Sequence, residues 1–326
     1  MALILDGSLG VPVTTVTGTL PVANGGTGGN TPVDGFKNRI INGNMATDQR
    51  NAAASQTYTA AAALAYSVDR WYGYCTGANV TGQQVAGSTT PTNTQFRYRF
   101  TGAASVTAVG FAQRIEQKNS YDLAGSTCTL SADLAISATL TTVTWTAYYA
   151  TTTADTFGSL ASPTVTQIAT GTFTVSATVT NFSANISVPA AATTGVQILF
   201  TVGALTAGLT WTIGNVQFEK GSTATSFEYR PYGTELMLCQ RYYQIQAPAL
   251  RWAIYAAANT SFETDTTIPI MRATPTISGQ SYTSYGGTLT VTGSTSSSIR
   301  YEVATGSSAG GRYGAYSLGY SLSAEL

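Results

Sequence analysis

Hydrophobic and polar residues alternate along most of the chain with a period of two, which is the pattern of β-strands that bury one face. The segment FRYRF is the clearest case, since Phe96, Tyr98 and Phe100 alternate with Arg97 and Arg99. Similar segments follow as far as residue 221, separated by clusters of Gly, Asn and Thr. This spacing predicts an all-β fold, with a β-sandwich or jelly roll over residues 36–232.

One segment departs from this pattern, because GTELMLCQRYYQIQAP carries apolar residues at helical spacing and ends at a proline. It predicts a single short helix over residues 233–248. Thr234 is the expected N-cap, and Glu235 lies where the helix dipole favours an anion.

The apolar residues of this predicted helix form two stripes, whereas a surface helix needs only one. Leu236 and Cys239 belong to one stripe, and Leu238 and Tyr242 belong to the other. The second stripe indicates a second partner, which is either another domain or another copy of the chain. We expect these four residues to form the interface of a homotrimer.

Strand patterns return after the helix and predict a second, smaller β domain over residues 249–326. Its segments SGQSYTSYGG and TGSSAGGRYGAY are interpreted as loops that combine Tyr with Ser and Gly. Such loops are typical of recognition surfaces, where Tyr gives rigid contact area and the small residues give adaptable hydrogen bonds. We expect this tip to bind a receptor, and the candidate residues are Trp252, Tyr282, Tyr285, Arg312, Tyr313 and Tyr316.

The N-terminal segment differs from everything that follows it. Residues 15–35, TVTGTLPVANGGTGGNTPVDG, have no charge before Asp34, no helical period and many glycines. Glycine permits positive φ angles and close approach of neighbouring backbones. We predict an extended, glycine-rich attachment segment over residues 1–35 that adds little to the folding of the rest.

Charge excludes one class of partner. Lys and Arg together number 15, as do Asp and Glu, so the formal net charge is zero. A nucleic-acid-binding protein needs a basic excess, so nucleic acid is not an expected partner. Charged residues make up only 9% of the chain, against about 25% in ordinary soluble domains. A nearly uncharged surface favours association, in agreement with an oligomer.

The cysteines and the apolar runs exclude other classes. Cys75, Cys128 and Cys239 are far apart and odd in number, so they indicate neither a disulfide framework nor a zinc site. Cys128 alternates with apolar residues in TCTLSADLAIS and is expected to be buried. We expect no secretory signal, because no basic region precedes the first apolar run and an acidic residue interrupts it. No apolar run is long enough to span a membrane, so no membrane insertion is expected.

Catalysis and metal binding find little support in the residue types. The absence of histidine removes Ser-His-Asp, Cys-His and His-ligated metal sites. The chemistry that remains is glycoside hydrolysis by paired carboxylates. We expect the acidic residues, however, to form local ion pairs or to act as turn ligands. The expected pairs are Asp69 with Arg70, Glu116 with Lys118, and Glu228 with Arg230. By residue type alone, the candidate calcium ligands are Asp34, Asp48, Asp69 and Asp122. We nevertheless expect no bound metal and no cofactor.

The tryptophans are assigned mainly to packing. Trp71, Trp145 and Trp211 lie in strand-like segments, so we expect them in the core rather than stacked on a sugar.

Three segments resemble one family. VTGTLPVANGGTGG is similar to the glycine-rich repeat of bacteriophage tail fibres. FKNRIINGNMATDQRN with YSVDRWYGY, and VQFEKGSTATSFEYRPYGTELMLCQRYYQ, resemble phage and prophage tail fibres that carry a jelly roll similar to carbohydrate-binding modules. With IPIMRATPT the resemblance spans nearly the whole chain, most strongly from Thr17 to Arg272.

The resemblance implies a location and partners. It implies a homotrimer in the virion whose N-terminus is fixed to the tail or baseplate and whose distal domains contact the host surface. The residues expected to attach the chain to the virion are Leu20, Pro21, Gly25, Gly26 and Gly28. We therefore predict a trimeric phage tail fibre that binds a host surface polysaccharide. The alternatives are a short polysaccharide depolymerase with paired carboxylates and a purely structural tail connector.

Overall fold

The architecture comes from a computed structural model, which describes residues 36–60, 64–137, 139–246, 251–256, 260–285, 287–305 and 311–326. For 251–256, 280–285, 287, 294, 305 and 311–318 only the backbone path and its pairing are described. The predicted attachment residues between Leu20 and Gly28 lie outside the described residues. Residues from Asn38 to Leu326 form one compact unit.

Two antiparallel sheets of six strands each make up the larger part of this unit. The order in the first sheet is β1 (Gln56–Tyr58), β4 (Val80–Ala86), β5 (Phe96–Thr101), β12 (Thr210–Lys220), β7 (Thr127–Ile136) and β10 (Thr180–Ser187). The order in the second sheet is β2 (Ala65–Tyr66), β3 (Tyr72–Thr76), β6 (Ala108–Ile115), β11 (Val196–Val202), β8 (Thr142–Ala150) and β9 (Val165–Thr174).

The two sheets share one apolar core, which confirms the predicted β-sandwich. Alternation places every second residue of β7 in that core, from Cys128 to Ile136, as the sequence predicts. Aromatic rings fill its centre, where Trp71 stacks on Phe111 at a centroid distance of 4.8 Å and Phe100 stacks on Trp211 at 5.3 Å. Burial of this apolar surface drives the two sheets together.

The predicted core residues have their expected places. Trp71, Trp145 and Trp211 are all buried, and so are the three cysteines. In β5, Tyr98 and Phe100 lie in the core while Phe96 packs at its edge.

Helical structure is confined to short segments among the described residues. They are α1 (Gln117–Ser120), a 3-10 turn (Tyr121–Leu123) and α2 (Tyr232–Gln240).

The helix predicted over residues 233–248 corresponds to α2, and both of its predicted ends are wrong. Pro231, rather than Thr234, occupies the N-cap position of α2, and its carbonyl accepts from the backbone N–H groups of Thr234 and Glu235. After Gln240 the chain turns and forms β13 (Tyr243–Gln246). The segment YQIQ alternates with period two and pairs with β19. The chain therefore continues as a strand there rather than as a helix.

Two small sheets form the C-terminal part. One contains β13, β19 (Gly311–Ser323), β14 (Arg251–Ala256) and β16 (Thr276–Tyr285), and the other contains β15 (Ser261–Thr267), β18 (Ser298–Thr305) and β17 (Gly287–Thr295). A separate apolar cluster that includes Met271, Tyr301 and Leu322 joins them.

The last residues of the chain contact the sandwich. The Glu325 carboxylate pairs with Arg50 at 2.9 Å and also with Arg70. The carbonyl oxygen of Leu326 accepts from the Tyr66 hydroxyl at 2.7 Å. The segment therefore fixes the small sheets to the large sandwich.

Candidate functional site

The outer face of the second sheet carries a cleft of about 290 Å³. We call it the tyrosine cleft. It is lined by Leu64, Tyr72, Tyr74, Arg114, Tyr148, Phe157, Ser159, Leu160, Pro163, Val165, Gln197 and Leu199.

Strand register brings the lining residues of the tyrosine cleft together. Gln197 on β11 lies opposite Arg114 on β6 and opposite Tyr148 on β8. Because directly opposed residues share a face of the sheet, the three side chains form a row across three strands. Residues between them along each strand point into the core, so the sandwich holds this row on a rigid base.

Tyr74 depends on a glycine of the neighbouring strand. Tyr74 pairs with Gly110 on β6, and a β-carbon at Gly110 would overlap the Tyr74 ring. The missing side chain lets the ring lie across the strand. An aromatic face is thereby placed along the cleft.

Arg114 connects the cleft to its surroundings. Its Nε donates to the Gln197 side-chain oxygen at 3.1 Å, Nη1 donates to the Leu326 carbonyl at 2.7 Å, and Nη2 donates to the Gly158 carbonyl at 2.8 Å. Its guanidinium also lies 5.1 Å from the centroid of the Tyr72 ring. Arg114 thus fixes the shape of the cleft, with a donor group committed on each of its three nitrogens.

A short hairpin forms one rim of the cleft. Gly158 and Pro163 form an antiparallel bridge, and the Ser159 N–H donates to the Ser162 carbonyl at 3.1 Å. Gly158 has a φ of 73°, a conformation that favours glycine. Leu160 is exposed at the tip of this hairpin and lines the cleft.

Two phenols of the cleft, those of Tyr72 and Tyr74, have pKa values raised above the ordinary range. Burial raises the pKa of Tyr74, and the neighbouring Tyr148 raises it further. Burial also raises the pKa of Tyr72, although Arg114 partly opposes this effect. The cleft therefore offers aromatic faces and neutral hydroxyl groups together.

The predicted receptor residues do not form one loop surface. Tyr282 and Tyr285 lie on β16, so the interpretation of SGQSYTSYGG as a loop is wrong. Arg312, Tyr313 and Tyr316 lie on β19, which begins at Gly311 within the segment TGSSAGGRYGAY. Their alternation of large and small residues suits paired strands, and β16 and β19 pair with each other.

Register also divides these candidates. By pairing, Tyr285, Arg312 and Tyr316 occupy positions on one face of the sheet, while Trp252, Tyr282 and Tyr313 occupy positions on the other. A single patch on one face of the sheet cannot contain all six.

The predicted trimer residues are largely covered by their own chain. Cys239 and Tyr242 are fully buried in a cluster with Ile41, and Leu238 packs against it. These contacts correct the expectation that Cys239 and Tyr242 face another copy. Leu236 is half-buried.

Two of the three predicted local ion pairs are wrong. Arg70 pairs with Glu325 instead of Asp69, and Glu116 pairs with Arg241 at 2.8 Å instead of Lys118. In each case the sandwich brings a distant partner closer than the neighbour in sequence.

The third local pair is present. Arg230 lies 3.2 Å from Glu228 and 3.3 Å from Glu235.

The calcium candidates have protein partners where the structure describes them. Asp48 accepts from the backbone N–H groups of Asn51 and Ala53, Asp69 accepts from Gln49, and Asp122 pairs with Arg39. Asp34 lies outside the described residues. In the described part of the chain, no group of three or more acidic or cysteine side chains is arranged to hold a metal.

No helix in the described ranges is long and apolar enough to cross a membrane.

Comparison with known proteins gives matches among solved structures only. No protein-family model matches the chain, and no curated protein matches it. The enzymatically active domain of tailspike protein 4 from bacteriophage CBA120 matches 56% of this chain at 16% identity with a TM-score of 0.35, and this match covers 21% of the tailspike chain.

Carbohydrate-binding modules are also among the matches. A family 22 module from a Clostridium thermocellum xylanase matches 49% of this chain and 91% of its own, at 13% identity and a TM-score of 0.33. A xylan-binding domain from Paenibacillus barcinonensis matches 47% of this chain and 92% of its own, at 14% identity and a TM-score of 0.31. The sandwich itself is established by the strand order described above.

The sequence does contain a signal for the tyrosine cleft. In YGYC and TAYYA, the outward positions between core residues hold Tyr72, Tyr74 and Tyr148. Outward positions of a solvated antiparallel sheet are usually polar, so three tyrosines at such positions on two strands distinguish this face. Because β3 and β8 are far apart in sequence, only the strand order shows that they meet.

Proposed function

We propose that the tyrosine cleft binds a neutral glycan, and that the chain does so as a bacteriophage tail fibre contacting a host surface polysaccharide. The observation that carries the proposal is the group of three tyrosines, Tyr72, Tyr74 and Tyr148, that lines the cleft together with Gln197 on a rigid sheet. Sugar rings present apolar C–H faces between polar edges. Aromatic faces next to hydroxyl and amide groups complement both features.

The charge of the cleft favours a neutral ligand. Arg114 is the one charged residue among its lining, and its nitrogens already donate to Gln197, Leu326 and Gly158. An anionic ligand would have to compete with these bonds. A neutral ring can use the hydroxyl groups of Tyr74 and Tyr148 without disturbing them.

The same lining favours binding over hydrolysis. A glycosidase places two carboxyl groups on either side of the bond that it cleaves. The residues described around the cleft include no Asp and no Glu. The nearest acidic pair in sequence to the cleft strands, Glu116 and Asp155, is occupied, since Glu116 binds Arg241 and Asp155 accepts from the Gln117 N–H. We therefore propose a binding protein rather than a depolymerase.

The tail-fibre role rests on the sequence resemblance, and the homotrimer is part of the same proposal. Three copies on one axis would raise a weak single-site affinity for a repetitive surface. We propose that the trimer contact involves Met237, Ile245 and Ile270, which are among the exposed apolar residues around α2 and β13. The segments that carry them meet, since Gln244 donates to the carbonyls of Gln240 and Pro269.

A binding screen with one matched pair of variants tests the proposal. The full chain would be titrated with neutral hexasaccharides and with bacterial envelope polysaccharides. Removal of one stacking ring, in Tyr148→Ala, should weaken binding roughly two- to tenfold. The control Tyr121→Ala removes an exposed ring outside the cleft and should bind as the wild type does. Equal loss in both variants, or no loss in Tyr148→Ala, would contradict binding in the cleft.

A further inference from the structure

A second pocket lies on the opposite side of the sandwich, on the outer face of the first sheet. Its volume is about 210 Å³, smaller than the clefts that hold drug-sized ligands. Strands β4, β5, β7 and β12 supply most of its lining, and the charged residues in that lining are Arg97 and Arg99. We call it the arginine pocket.

Arg97 is a fixed, buried cation, and one of its three nitrogens forms no hydrogen bond among the described residues. Its Nη1 donates to the Ser88 hydroxyl at 2.7 Å, and its Nη2 donates to the Thr90 carbonyl at 3.0 Å. The Asp133 carboxylate lies 3.8 Å away. The Nε of Arg97 is buried and has no hydrogen-bond partner among the described residues. A buried donor without a partner costs free energy unless a ligand or water satisfies it.

Asp133 neutralises Arg97 but is itself already bound. Its carboxylate accepts from the Asn181 amide at 2.9 Å and from the Asn215 amide at 3.0 Å, and it also accepts from the Thr92 hydroxyl. Because these donors hold Asp133 in place, it does not move into the pocket as a counter-ion for Arg99.

Arg99 supplies the uncompensated charge. It lies on β5 opposite Thr212 of β12, its side chain is exposed, and no carboxylate within the described ranges forms an ion pair with it. In a chain with few charges, this cation stands at the mouth of a pocket whose other walls are apolar or hydroxylic, as at Val85, Ala135 and Thr210.

We propose that the arginine pocket binds a single sugar ring that carries a carboxylate, such as a hexuronic acid unit. A guanidinium binds a carboxylate through charge-assisted hydrogen bonds, and the exposed side chain of Arg99 supplies that guanidinium. The valine and alanine walls suit the C–H face of the ring, and Thr212 offers a hydroxyl group. This site lies apart from the tyrosine cleft and does not depend on the function proposed for it.

The test uses the full chain and three small probes. Binding of D-glucuronate and D-glucose would be measured by ligand-observed NMR titration, and binding of sulfate would be measured by its displacement of D-glucuronate. D-glucuronate should bind, and D-glucose, which lacks the carboxylate, should bind at least about tenfold more weakly, because hydrogen bonds to charged groups are the stronger ones. Inorganic sulfate should bind more weakly than D-glucuronate, since it makes no contact with the apolar walls. Sulfate binding as tightly as D-glucuronate would overturn the sugar assignment.

Variants distinguish binding in the arginine pocket from a general effect of lost positive charge and from binding in the tyrosine cleft. Arg99→Gln should weaken D-glucuronate binding about tenfold or more, and Arg99→Lys should weaken it less because it keeps the charge. Arg300→Gln removes a half-exposed arginine of β18 and should leave binding unchanged. Tyr148→Ala should also leave D-glucuronate binding unchanged, so a failed tyrosine cleft would not be mistaken for a failed arginine pocket. Equal affinity of Arg99→Gln and Arg300→Gln, or of glucose and glucuronate, would overturn the proposal.

Discussion

Tyr74 of β3 and Gly110 of β6 are paired across the second sheet, and the ring of the first lies in the space that a side chain of the second would fill. The three atoms that a β-carbon at Gly110 would approach most closely all belong to the Tyr74 side chain. The ring can therefore move aside without disrupting the strands. Its position in the cleft is controlled by the absence of one methyl group.

The substitution Gly110→Ala should displace the Tyr74 ring and weaken glycan binding about as much as Tyr74→Ala does. Since a side chain rather than backbone must move, the melting temperature should change little. Calorimetry and a binding titration on the same sample would measure both effects. Unchanged binding in Gly110→Ala would show that the orientation of Tyr74 has no role in recognition.

The ion pair of Glu325 with Arg70 should contribute strongly to stability. The two side chains are 5% and 1% exposed, so removal of the carboxylate leaves a buried, unpaired guanidinium. Glu325→Gln should lower the free energy of unfolding by about 3 kcal/mol. Denaturant unfolding would measure the change.

The control for this prediction is Arg300→Gln, which breaks an ion pair between half-exposed side chains and should have little effect. An equally small effect of Glu325→Gln would mean that the C-terminal segment does not hold the small sheets against the sandwich.

Stability should fall between pH 5 and pH 8, and Asp69 should account for part of the decrease. Burial raises the pKa of Asp69 to about 7, although hydrogen bonds from Gln49 oppose the shift. The pKa in the unfolded chain is about 4. Because the folded value is the higher one, the stabilising contribution of the protonated acid is complete below about pH 4 and is lost as the pH rises through 7.

Asp69→Asn should flatten this pH dependence, since the amide does not titrate. The chain contains no histidine, so no imidazole obscures the comparison. Melting temperatures of both proteins from pH 5 to pH 8 would test the assignment. Identical slopes would show that Asp69 is already ionised in the folded protein at pH 5.

Oligomerisation should depend on exposed apolar residues around α2. Met237 and Ile270 are 65% and 69% exposed, and their replacement by Asp in one double variant should dissociate a trimer without disturbing the core. Sedimentation velocity at micromolar concentration would report the mass. The control Leu160→Asp lies at the cleft rim and should remain trimeric. A monomeric wild type, or a trimeric double variant, would contradict the proposed interface.

The sandwich could be predicted because its signal is local. The alternation of Phe96, Tyr98 and Phe100 with two arginines assigns both strand and core face before any partner strand is known. The same holds for β7. In α2, by contrast, helical spacing continues past Gln240, and only pairing with β19 shows that the chain has become a strand.

The candidate site could not be found in the same way. Gln197, Arg114 and Tyr148 lie on three strands far apart in sequence, and register alone places them in one row. The sequence instead favours the Tyr- and Ser-rich tip as the binding site. There, however, Tyr282 and Tyr313 belong to paired strands rather than to loops. Contacts between residues far apart in sequence, such as that of Arg70 with Glu325, likewise cannot be predicted from the local sequence pattern.

The central claim is that a neutral glycan binds in the tyrosine cleft, and hydrogen–deuterium exchange of the full chain tests it most directly. The ligand would be the neutral hexasaccharide with the highest affinity in the binding screen, added at saturation. We expect slower exchange in the rim hairpin 157–163 and in β3, β8 and β11, with little change in β16 and β19. Protection confined to β16 and β19, or no protection in the second sheet, would contradict the claim.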